Sequence, residues 1–112
     1  MSEMPDHAKE IDDLLQALWV KNYPILEERL KLIRAAKEKL DAGFLGEQVR
    51  RDGEEAAHKL AGILGTFGLP RGSALASKIE ALLASGASAC AQRAAELSSW
   101  LEELETVVAS RT

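Results

Sequence analysis

The sequence predicts an all-α protein, an antiparallel up-down four-helix bundle with an additional N-terminal helix. Three observations carry that expectation. The 112 residues are 46% apolar but only 4% aromatic, with 18 Ala and 17 Leu against 12 Ile, Val and Thr together, and unbranched residues of this kind favour helix over strand. Apolar positions recur at spacings of three and four along most of the chain, and no stretch alternates as a strand does. The breaks between periodic segments are short, so successive helices fold back on one another.

The first helix is expected over 6–21, with Asp6 as N-cap, Ile11, Leu14, Leu15 and Leu18 on its buried face and Trp19 at the edge of that face. Asn22 and Pro24 then fit the start of a second helix over 24–42, because a proline is best placed at a first helical position. Leu26, Leu30, Ile33 and Leu40 form its stripe, Glu27 and Lys31 pair on the outside, and Gly43 closes it. A third helix runs over 46–67 and stops at Gly68-Leu69-Pro70-Arg71-Gly72. Ser73 caps a fourth over 73–85, which buries Leu75, Ile79, Leu82 and Leu83 and ends at Ser85-Gly86. The last, 88–109, lines up Cys90, Ala94, Leu97, Leu101, Leu104 and Val108, with Trp100 and Val107 widening the stripe. Residues 1–112 are thus expected to form one domain.

Composition excludes several function classes. One cysteine, Cys90, can form neither an internal disulfide nor a cysteine-based zinc site, which points to a reducing, cytoplasmic setting. No apolar run approaches the roughly 20 residues that cross a bilayer, and Met1 to His7 is polar, so neither membrane association nor a signal peptide is expected. The formal net charge of −4, without a basic stripe interleaved with aromatics, argues against nucleic acid as a partner. There is no GxxxxGK[ST] loop and no room for a nucleotide-binding domain beside a helical core, which argues against a self-sufficient kinase or NTPase.

The stretch Glu54 to Gly68 carries the chemistry. At about 100° per residue, Val49, Ala56, Leu60, Ile63, Leu64 and Phe67 share one side of the third helix, and His58 falls nearly opposite. A histidine serving the core would lie beside Leu60, so this one is expected to face solvent in mid-helix. Gly62 follows one turn on and Gly65 almost two, with Ala61 alongside and Arg51 and Glu54 behind. Each glycine inside a helix costs about 1 kcal/mol relative to Ala. Exposure alone does not call for two of them, whereas a surface bare of side chains lets another protein reach the imidazole. Imidazole titrates at about pH 6.5, so near neutrality much of it offers a free nitrogen lone pair able to attack phosphorus. Phosphoryl transfer is mostly positioning and charge stabilisation, which a partner can supply.

His58-Lys59-Leu60-Ala61-Gly62, followed by Gly65 and Phe67-Gly68-Leu69, resembles the signature of histidine-containing phosphotransfer (HPt) domains, and the resemblance continues through Ser73 to Glu80 as the following helix. It implies a phosphoryl carrier of a two-component phosphorelay, with His58 as acceptor and Gly62 as clearance residue. Gly65, Ala61, Lys59 and Arg51 complete the expected docking face. The implied partners are receiver domains of a response regulator or of a hybrid sensor histidine kinase. No cofactor is expected on this chain, and Mg²⁺ belongs to the partner receiver. One position departs from the pattern: many members carry a lysine three residues after the histidine, where Ala61 stands here. Lys59 lies about 100° around the helix and Arg51 two turns away.

Two other functions fit the same residues: the histidine-bearing domain of a chemotaxis-type kinase, and a non-catalytic helical adaptor. Glu55-Ala56-Ala57-His58 has the Glu-x-x-His spacing of di-iron bundles, but these need a second such pair and inward ligands, and the only other histidine is His7. No metal site is expected. His7 reads as solvated, Cys90 as a buried small hydrophobe, Trp19 and Trp100 as packing anchors, and Glu102, Glu103 and Glu105 as a solvated face.

Overall fold

The helical periodicity is realised along the chain. A computed structural model describes the backbone of residues 4–111 and the side chains of 7–111. Its elements are α1 (Met4–Asp41), α2 (Glu47–Thr66), α3 (Pro70–Ala84), α4 (Ala87–Gln92) and α5 (Ala94–Arg111). The expected all-α class holds, and among the described residues there is no strand.

Neighbouring helices run in opposite directions, as their contacts require. The end of α2 meets the start of α3 where the Ser73 hydroxyl donates to the Ala61 carbonyl at 2.8 Å. At the other end of the pair, the Arg50 guanidinium donates to the Leu83 carbonyl at 2.7 Å. The start of α3 meets the end of α5 through Arg71 and Glu103, at 2.6 and 2.8 Å. α5 returns along α1, pairing Glu105 with Arg34 and Arg111 with Gln16. Gly53 lies where α2 packs tightly between α1 and α3, since a Cβ there would stand 3.2 Å from Ala36 Cβ and 3.2 Å from Leu83 Cδ1. The enclosed core is aliphatic, with Leu26, Leu30, Ile33, Leu60, Leu64, Leu75, Ile79, Leu82, Leu83, Leu97 and Leu104 almost fully buried.

Four expectations are corrected. The helices expected over 6–21 and 24–42 are one, α1, with Pro24 inside it and Asp6 within the helix rather than capping it. A proline in mid-helix removes the hydrogen bond to the carbonyl four residues back and costs about 3 kcal/mol. Burial on both sides of it outweighs that cost, because Trp19 and Leu26 are each fully buried, while Pro24 itself is exposed. Tyr23 and Asn22 hold the same turn, through Glu27 at 3.0 Å and the Leu18 carbonyl at 2.7 Å. Pro24→Ala should therefore raise stability by about 1–3 kcal/mol, read as a higher urea midpoint at unchanged slope. A lower midpoint would mean that the proline fits a bend the helix requires.

Second, Ile11, Leu14 and Leu18 are exposed rather than buried. The bundle is shorter than α1, whose 38 residues span about 57 Å of the molecule's 61 Å length. α2 and α5 both end level with Trp19. That residue, expected at the edge of the buried face, is fully buried, edge-on to Phe67 at 5.2 Å and under the Arg111 guanidinium at 5.3 Å. Third, Ser73 does not cap α3: the helix starts at Pro70 with Leu69 as N-cap, and Ser73 ties α3 to α2 instead. Fourth, the last helix breaks at Arg93, whose φ of −120° and ψ of 30° separate α4 from α5. The Arg93 amide is shared by the carbonyls of Ala89 and Cys90, and its guanidinium grips Glu96 at 2.7 and 3.0 Å. The stripe from Cys90 to Val108 otherwise faces the core as expected, with Ala94 half-buried. The glycine stops hold where φ is positive, at Gly43, Gly68 and Gly86.

Candidate functional site

The amphipathic pattern of α2 sets the site. Ala56, Leu60 and Leu64 turn into the core, so His58 is carried on the outside, its side chain 71% exposed. Its Nδ1 lies 3.0 Å from Oε2 of Glu80, on α3. An ionised carboxylate only accepts hydrogen bonds, so Nδ1 carries the proton in this pair. The lone pair of the neutral ring then sits on Nε2, and the ring is held in one orientation.

Around the imidazole the expected docking residues divide. A Cβ built on Gly62 would meet nothing within 4 Å, so this side of His58 is bare. Gly65 lies nearer α3, where a Cβ would make ordinary contact with the Ser73 hydroxyl at 3.6 Å. Ala61 is half-buried against the core at the α2–α3 seam. Lys59 leans back to Glu55 at 3.7 Å. Arg51 shares a cleft with His58, Glu54, Glu55, Glu80 and Arg50, and pairs with Glu47 at 3.2 Å. That pair is exposed on both sides, and such pairs are weak, within reach of competition by an incoming anion.

Arg50 has a different task. It is 8% exposed, and its guanidinium serves Glu47, Glu54 and the Leu83 carbonyl near the C-terminus of α3, where a positive charge is favoured. Its hydrogen bond to Glu47 holds that carboxylate below its ordinary range. Arg50 is thus a clamp between helices rather than a free charge.

Sequence reasoning missed the role of Glu80. The only signal was that α3 contains no other acidic residue, and that alone does not bring Glu80 alongside His58. Cys90 is buried as expected, its thiol donating to the Leu82 carbonyl at 3.4 Å, and burial pushes the thiol pKa up. Trp100 packs half-buried against the core, beside Lys78 and Arg93. Among the described residues no group of three or more His, Cys, Asp or Glu is placed to hold a metal ion, and no helix is long and apolar enough to cross a membrane.

Fold and site define a helical bundle that presents one oriented imidazole on its outer surface. The Hpt domain family model matches residues 1–109 of the chain, which therefore belongs to the Hpt domain family. Phosphotransfer in two-component signalling is the work of this family, whose members interact with receiver domains of response regulators or with kinases. Comparison with curated proteins and with solved structures returned no match.

Proposed function

We propose that the chain, taken as one Hpt unit over 1–112, is a cytoplasmic phosphoryl carrier that exchanges its group with aspartate-phosphorylated receiver domains through Nε2 of His58. The observation that carries this reading is the 3.0 Å contact between His58 Nδ1 and Glu80 on an otherwise open face. Nε2 attacks the phosphorus of the acyl phosphate, so that an N–P bond forms as the P–O bond to the aspartate breaks. The electron pair of that P–O bond leaves with the receiver's carboxylate. The ring becomes cationic as it is phosphorylated, and Glu80, accepting from Nδ1–H, offsets that charge. Return of the group is the reverse step. Glu80 is a positioning residue here, since it touches the ring and not the phosphoryl group.

With Ala61 facing the seam and Lys59 drawn to Glu55, Arg51 is the cation best placed to reach the phosphoryl oxygens from the shared cleft. The receiver and its Mg²⁺ supply the rest of the charge stabilisation.

Gly62 provides the clearance for that approach. Gly62→Leu should leave the fold intact or stabilise it by about 0.5–1 kcal/mol, because leucine is the better helix former, yet slow transfer from a phosphorylated receiver at least about tenfold. Stopped transfer assays on both proteins read this directly. A variant that transfers at the wild-type rate would show that the receiver does not pass over Gly62.

A further inference from the structure

Four exposed apolar residues of α1 fall on one line. Ile11, Leu14, Leu18 and Ile25 are 58%, 60%, 39% and 44% exposed, and at about 100° per residue they lie within about 60° of one another. Beside this line, Leu18 and Asn22 form a groove with Ile63, Thr66 and Phe67 at the end of α2. The molecule thus carries an apolar ridge, Ile11 and Leu14, and an open groove roughly 10–15 Å further along the same helix. Ridge and groove belong to one continuous helix, so the ridge cannot fold back to fill its own groove.

A second copy turned end for end satisfies both at once. A two-fold axis crossing α1 level with Gln16 sets Leu14 against Leu18 of the second copy and Ile11 over the groove, level with Lys21 and Asn22 of the second copy, and symmetry repeats these contacts. α2 ends level with Leu18 and Asn22, so the two α2 helices lie on opposite sides of the axis. α5 ends against Gln16, on the side of α1 away from the apolar line. The paired stretch, 7–25, is about 27 Å long, shorter than the three to four heptads of a self-sufficient coiled coil, and Ile63 and Phe67 at the groove supply the remaining apolar surface.

Charge selects the antiparallel orientation. Residues 1–13 contain five acidic side chains and one lysine, and a parallel pair would set these stretches side by side. In the antiparallel pair the two Glu10 residues stand about 18 Å apart along the seam, beyond the Debye length of about 8 Å. Glu10 and Lys21 are both exposed and make no ion pair among the described residues. They lie within about 20° of one another on the same border of the apolar line, and the axis at Gln16 brings each Glu10 beside Lys21 of the second copy.

We propose that the chain forms a two-fold symmetric dimer through residues 7–25 of α1, each copy laying Ile11 and Leu14 over the groove of the other. His58 lies about 140° around α2 from Ile63 and about 180° from Phe67, so pairing leaves both imidazoles presented.

Sedimentation equilibrium of the full chain over a concentration series tests this. The wild type should show a monomer–dimer equilibrium, and Ile11→Ser/Leu14→Ser should weaken it at least about tenfold, with helical circular dichroism unchanged. Glu10→Lys should weaken it about tenfold at low salt, because one substitution turns two symmetric attractions into repulsions, and less at high salt. The exchange Glu10→Lys/Lys21→Glu should restore it to within about twofold of the wild type. A wild type that stays monomeric up to about 1 mM, or a dimer that the serine pair leaves unchanged, overturns the proposal. A dimer that the serine pair dissolves but the charge exchange does not restore overturns the antiparallel register.

Discussion

His58→Gln should take up no acid-labile phosphoryl group under conditions that label the wild type, a loss of at least about a hundredfold. Glutamine can still donate an amide hydrogen to Glu80, but its nitrogen is not a nucleophile, so the substitution separates orientation from chemistry. The side chain is 71% exposed, so its replacement should change stability by no more than about 0.5 kcal/mol. Urea unfolding of the variant checks that the loss is chemical. Label persisting on the variant would place the acceptor elsewhere, and label on neither protein across a panel of receivers would favour the adaptor function.

Trp19→Ala should have the largest effect on stability, a loss of about 3–5 kcal/mol. The indole is fully buried and holds three elements at once: Tyr23 of its own helix at 6.3 Å, Phe67 at the end of α2 and Arg111 at the end of α5. Domains of this size are stable by only about 5–15 kcal/mol, so the variant should unfold at a much lower urea concentration. A loss below about 1 kcal/mol would mean that the end of the bundle closes without this side chain.

How far the sequence could be read depends on which forces decide each feature. The side on which His58 stands follows from the spacing of Leu60 and Leu64 alone, since a helix has one period and the core takes the apolar side. Gly43, Gly68 and Gly86 were legible as stops because only glycine readily takes their positive φ. Pro24 misled because its local preference for a helix start is outweighed by burial of Trp19 and Leu26 on either side, a tertiary effect. The exposure of Ile11 and Leu14 was hidden for a related reason: periodicity says which face is apolar, and only the lengths of α2 and α5 say whether anything covers it. At Arg93 no glycine or proline marks the break. Glu80 was out of reach because its partnership with His58 spans 22 positions and depends on the register between α2 and α3.

Glu80 lies 3.0 Å from Nδ1 of His58, and in the exchange proposed above this leaves Nε2 as the atom that carries the phosphoryl group. Nitrogen-15 NMR of histidine-labelled protein, phosphorylated by a receiver, reads the site of attachment directly. Phosphorylation of His58 is expected at Nε2, with Nδ1 still protonated. Phosphorylation at Nδ1, or on His7 with His58 unchanged, would contradict it.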